Sequence, residues 1–237
     1  MSGAIVRAFA LFVSLAAMAV PGQGRAGDSG APSATVQAPA FELPYSAFAS
    51  PQARQRFADM LAEPRVTPGA DIAEQRRFYG RFNDDLLARM RRAFTTEVVH
   101  TRMGGVAVDV VTPAGGVSPA HRDKVLINLH GGAFMWGAGA GALLESIPIA
   151  ATGGYKVVAV DYRLAPEHPY PAASEDAAAV YRELLKTYRA QDIGIYGCSA
   201  GGMLTAQATA WFQTHGLPRP GAIGTFCGSG IAFTGDS

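Results

Sequence analysis

The 237-residue sequence has little cysteine: Cys198 and Cys227 are the two it holds. Two thiols in those positions exclude a disulfide framework, which needs several bridges. Both are read as free buried thiols. Charge of one sign is also missing. Lysine and arginine number 20 and the acids 19, a formal charge of +1. That balance argues against nucleic acid or a polyanionic surface as partner. Glu167 and His168 invite a metal, but two residues without further ligands are poor support. No metal and no organic cofactor are therefore expected. No internal repeat is present. Apolar runs long enough to cross a bilayer are lacking as well. Ala8 to Val20 is the one candidate, and it is too short for a comfortable span. Arg7 precedes it and Pro21, Gly22 and Gly24 end it. Residues 1–26 are expected to be a signal peptide directing export to a periplasm or the medium. An uncleaved anchor is the alternative.

What is present is an ordinary globular composition, 49% hydrophobic with 28 glycines, enough for one sizeable core. Residues 27–40 are rich in Gly, Ser, Ala and Pro and read as a linker. Residues 41–95 read as a helical cap segment. Its first helix runs from Pro51 to about Leu61 with Ser50 as N-cap. A longer one starts after Asp71, with Ile72, Tyr79, Phe82, Leu86, Met90 and Phe94 at helical spacing. The arginines on its other face, Arg76 and Arg77 among them, read as a solvated face rather than an anion site.

From residue 96 strands and helices alternate. Glu97 to Arg102 and Val106 to Thr112 flank Met103-Gly104-Gly105 and read as a hairpin. Lys124 to Leu129, Lys156 to Val160, Ile193 to Tyr196 and Ala222 to Phe226 are apolar runs of buried strands. Helices are expected over Leu143 to Ala151, Ser174 to Tyr188 (with Ser174 as N-cap) and Met203 to Phe212. The pattern predicts an α/β fold with a mainly parallel sheet and the antiparallel hairpin at one edge.

Three constellations carry chemistry. Gly197-Cys-Ser-Ala-Gly201 is a G-x-S-x-G match between a strand and a helix, the setting in which the motif lifts a serine hydroxyl off a sheet. Ser199 is the candidate nucleophile. His130-Gly-Gly-Ala-Phe134 comes directly after a buried strand, and its glycines expose backbone N–H groups. Gly131 and Gly132, with Ala200 after the serine, are the candidate donors to an oxyanion. His130 reads as a structural hydrogen-bonding group, ahead of the serine and in the wrong order for the base. Asp161-Tyr-Arg-Leu-Ala-Pro-Glu-His-Pro-Tyr-Pro171 reads as a rigid loop bracing the glycine loop through Asp161, Tyr162 or Arg163.

Together, in order and spacing, these motifs resemble the hormone-sensitive lipase-like carboxylesterases of the α/β-hydrolase fold. The resemblance covers about Phe41 to the end of the chain. It implies Ser199 as nucleophile, Gly131, Gly132 and Ala200 as oxyanion donors, and short- to medium-chain acyl esters as substrates. Two departures stand out. Ala133 occupies the place of a third glycine. Cys198 replaces the aspartate that commonly precedes the serine, which puts support of the neighbouring loop in question.

A serine also needs a base and an orienting acid, in the order Ser, Asp or Glu, His. After Ser199 stand one acid, Asp236, and one histidine, His215, in the reverse order. His215 falls at the far end of the helix that Ser199 heads, on the order of 20 Å away. Neither is expected to belong to a triad. The reading is of a carboxylesterase fragment lacking the triad acid, the base and the last strands, and inactive as it stands. A non-catalytic ligand- or partner-binding module and a lactonase or serine peptidase are the alternatives.

Overall fold

The computed structural model describes residues 44–63, 65–66 and 69–230; the expected signal peptide, the linker and Asp236 lie outside them. The chain divides into two compact units, one ending at Arg65 and the other beginning at Val66. In the first, helix α1 (Pro51–Ala62) starts as its sequence dictates. Pro51 takes the first turn, and the Ser50 hydroxyl accepts from the Ala53 N–H.

The second unit is a six-stranded sheet with helices on both faces. Its strands are β1 (Thr96–Met103), β2 (Val106–Pro113), β3 (Val125–Leu129), β4 (Lys156–Val160), β5 (Ile193–Cys198) and β6 (Ala222–Phe226). They lie in the order β1-β2-β4-β3-β5-β6. β1 and β2 form the expected edge hairpin. Gly104 and Gly105 both have positive φ, as a two-residue turn joining Met103 to Val106 requires. β2 meets β4 antiparallel; β4, β3, β5 and β6 run parallel.

Among the described residues four α-helices join the sheet: α2 (Ile72–Ala93), α3 (Ala140–Gly153), α4 (Ala172–Leu184) and α5 (Ala200–Thr214). Against one face, Leu143, Leu144 and Ile147 of α3 pack with Leu87 of α2 on Val111 and Val157. Against the other, Val180 and Tyr181 of α4 and Leu204 and Phe212 of α5 cover Ile127, Val158 and Ile195. The rings of Tyr181 and Phe212 stack at 4.6 Å. α2 therefore packs on the sheet unit through its helical stripe. Its N-cap is Asp71, which accepts from the Glu74 N–H at 2.7 Å.

Two expectations need correction. Ser174 is not an N-cap: α4 begins two residues earlier, after Pro171, and Ser174 lies buried inside it. The arginine face of α2 is not wholly solvated. Arg76 donates to the Met135 and Ala165 carbonyls at 2.8 and 3.0 Å and forms a two-pronged pair with Glu167.

Candidate active site

The parallel strands set the site. β3 and β5 are neighbours, Leu129 lying opposite Gly197, so the segments leaving the two strands emerge side by side. The glycine loop leaves β3 and the serine turn leaves β5 at the carboxyl ends of the strands, where α/β folds place their sites. Ser199 stands between β5 and α5 with φ 56° and ψ −123°. A non-glycine residue there is strained by about 1–3 kcal/mol and is held by its surroundings. The holding bond is its own N–H, which donates to the Phe226 carbonyl of β6 at 2.8 Å. Gly197 and Gly201 permit the turn: a Cβ on either would overlap the Leu129 carbonyl at the end of β3.

The glycine loop runs close beside the serine. A Cβ on Gly131 would sit 3.5 Å from that of Ser199. Its backbone is bent by Gly132 (φ 124°), Ala133 (φ 52°) and Phe134 (φ 61°). Ala133 thus takes the left-handed conformation without being glycine. The bend is closed by the Gly132 carbonyl, which accepts from Met135 and Trp136.

The expected donors fare differently. The Gly131 N–H is already engaged, donating to Glu145 Oε1 of α3 at 3.0 Å. It is therefore not free to hold an oxyanion in this arrangement. The N–H groups of Gly132, Ala133 and Ala200 have no acceptor among the described residues. Ala200 opens α5, where the helix leaves its first N–H groups unpaired.

The proline-rich loop braces the glycine loop, through Tyr162 rather than Asp161. The Tyr162 hydroxyl donates to the His130 carbonyl at 2.7 Å, and the two rings stack at 4.2 Å. The Ala165 N–H donates to the Phe134 carbonyl. Asp161 is exposed, and its carboxyl is shifted upward by partial burial and by the charge of Asp109. Arg163 turns the other way and ties the loop to Asp176 and Glu175 of α4. Arg76 adds a strap by reaching both loops at once.

His130 is fully enclosed. Its Nδ1 donates to the Gly131 carbonyl at 2.8 Å, so Nε2 is the unprotonated nitrogen, and it has no partner among the described residues. Burial pulls its pKa down to about 4, and the ring is neutral at physiological pH.

Cys198 keeps a free thiol beside the serine, half-buried, and Cys227 is exposed rather than buried. Burial and the neighbouring Cys227 push the Cys198 thiol up to about 12. No group of three or more metal-ligating side chains occurs among the described residues.

Residues 126–235 match the α/β hydrolase fold family. The folded chain superimposes on the crystal structure of esterase E25 with a TM-score of 0.61 and 30% identity, over 80% of this chain and 60% of that one. It matches an esterase from the bacterial hormone-sensitive lipase family with a TM-score of 0.60 and 29% identity, over 74% and 56% of the two chains. The chain has the α/β-hydrolase fold and is similar to esterases of the bacterial hormone-sensitive lipase family. An acetyl-hydrolase from Streptomyces hygroscopicus is 38% identical over 120 residues, 48% of this chain and 40% of that protein. The chain thus spans about two fifths of that curated relative's length.

Sequence reading missed three residues that shape this candidate site. Glu145 and Asn128 are one pair: the Asn128 amide donates to Glu145 Oε2 at 2.8 Å. Each was visible as the lone polar residue of an apolar run, Asn128 in Val125–Leu129 and Glu145 in the first three turns of Ala140–Gly153 apart from Ser146. The third, Arg76, had no such mark among the arginines around it.

Proposed function

We propose that the chain supplies the nucleophile and oxyanion side of a serine ester hydrolase acting on short- to medium-chain acyl esters. The observation that carries this is the strained Ser199 turn beside a loop whose Gly132 and Ala133 N–H groups are unengaged. The esterases among its structural neighbours support the same chemistry. On this reading the Ser199 hydroxyl attacks the ester carbonyl carbon and its proton passes to a base. The N–H groups of Gly132, Ala133 and Ala200 receive the oxyanion, the alcohol leaves, and water then releases the acid from the acyl-serine.

Among the described residues no histidine is hydrogen-bonded to Ser199. His215 caps the far end of α5, held by the Trp211 carbonyl and stacked on the Trp211 ring. His130 is enclosed beside its own loop. All five histidines of the sequence lie among the described residues, so we assign no histidine of this chain as the base. The apolar segment Ala8 to Val20 supports export as the destination.

Hydrolysis of p-nitrophenyl butyrate, compared between the wild type and Ser199→Ala, tests the function. Turnover that the substitution abolishes supports it. Binding of the ester with neither turnover nor acylation of Ser199 would instead support the ligand-binding module.

A further inference from the structure

Glu145 is a partly buried carboxylate beside the site, and the nucleophilic chemistry gives it no task. It reaches from α3 to the carboxyl end of β3. Oε1 accepts from the Gly131 N–H at 3.0 Å, Oε2 accepts from Asn128 Nδ2 at 2.8 Å, and the backbone of Cys198 bonds to it as well. One side chain therefore touches the first residue of the glycine loop and the residue before the nucleophile. Drawing a carboxylate partly out of water costs free energy, so plain stability does not account for it.

We propose that Glu145 is a positioning residue that fixes the glycine loop against the Ser199 turn, with its ionised form setting the productive spacing. The proposal rests on the ester-hydrolase reading above. Held by Glu145, Gly131 is turned so that the next two N–H groups are left to face the oxyanion. Bonds to an ionised carboxylate are roughly twice as strong as neutral ones. When Glu145 takes up a proton, one oxygen becomes a donor, and the three N–H groups that converge on it lose part of their acceptor. Burial raises its pKa to about 7, which places that change in the physiological range. The titratable groups facing it are Tyr196 and Cys198 on β5 and Tyr162 after β4, and burial pushes all three up, so each stays neutral there. His130, next to Gly131, is likewise neutral.

The test uses the whole chain with Glu145→Gln and Glu145→Asp. In the wild type the Gly131 and Cys198 amide resonances move with pH through one shared midpoint near neutrality, while the Leu204 amide inside α5 does not. Glu145→Gln removes that midpoint. It also lowers kcat for p-nitrophenyl butyrate on the order of tenfold to a hundredfold, as a displaced catalytic group does, with KM nearly unchanged. Glu145→Asp restores the amide midpoint in part. Gly131 and Cys198 amides with no common midpoint in the wild type overturn the proposal, even should both variants fail to fold. So does a Gln variant with wild-type kcat. A wild type that titrates as expected but neither turns over ester nor becomes acylated at Ser199 refutes the hydrolase reading and leaves the loop-fixing role of Glu145 standing.

Discussion

The Tyr162 hydroxyl donates to the His130 carbonyl at 2.7 Å while its ring lies flat against the His130 imidazole at 4.2 Å. One side chain thus fixes both the backbone and the ring of the residue that launches the glycine loop. Tyr162→Phe keeps the stacking and removes the donor, leaving a buried carbonyl unsatisfied. The expected loss is about 1–3 kcal/mol. In a urea titration this shows as a lower midpoint at an unchanged slope.

His130 and Glu145 pull the acid stability of the fold in opposite directions. His130 has a folded pKa of about 4, below its ordinary 6.5. Its contribution is present above pH 6.5 and is lost as pH falls toward 4, because the unfolded chain binds the proton first. Glu145 has a folded pKa of about 7, above its ordinary 4.5. Its contribution is full below pH 4.5 and is lost as pH rises through 7. Between 4.5 and 6.5 the two slopes oppose. Glu145→Gln uncovers the histidine alone, and stability then falls more steeply on acidification, by at most about 1.4 kcal/mol per pH unit. Denaturant midpoints of wild type and variant at several pH values in that window check this.

Cys198 and Cys227 should differ in reactivity although they are neighbours. The Cys198 thiol is pushed up to about 12 by burial and by Cys227, so almost none of it is thiolate at pH 8. Cys227 is exposed. Brief iodoacetamide treatment at that pH, then peptide mass spectrometry, is expected to label Cys227 well before Cys198. Equal labelling would show that the serine turn opens readily.

Arg76 joins the two loops to α2, and its guanidinium holds the Glu167 carboxyl down at about 2. That pair therefore contributes above the ordinary carboxyl range near 4.5, and the contribution fades as pH falls toward 2. Glu167 is exposed, so the effect weakens with salt. Arg76→Ala is expected to flatten this part of the pH–stability curve. It also frees the Met135 and Ala165 carbonyls, which amide hydrogen exchange in the glycine loop would report as lower protection.

Much of the sheet was readable from sequence because its strands are short apolar runs bounded by Gly, Pro and charge. Gly104-Gly105 gave the hairpin for the same reason that it forms: two consecutive positive φ angles. The serine turn was readable because Gly197 and Gly201 are demanded by a backbone that passes too close for a side chain. Ser174 misled because a serine ahead of two acids looks like a cap, whereas packing buried it within the first turn of α4. The engagement of Gly131 was out of reach for another reason. Its acceptor, Glu145, lies 14 residues on, and only the crossover of α3 above β3 brings them together. Such a crossover also delivers a carboxylate to the turn that holds Cys198.

The amide of Ser199 is tied to Phe226, and Phe226 ends the outermost strand described, β6, whose residues are mostly exposed. The reactive residue therefore takes its shape from the rim of the sheet rather than from its middle. Whatever seats or loosens that rim is mechanically coupled to the hydroxyl. Deuterium uptake at the single Ser199 amide would serve as a gauge of how firmly β6 is docked.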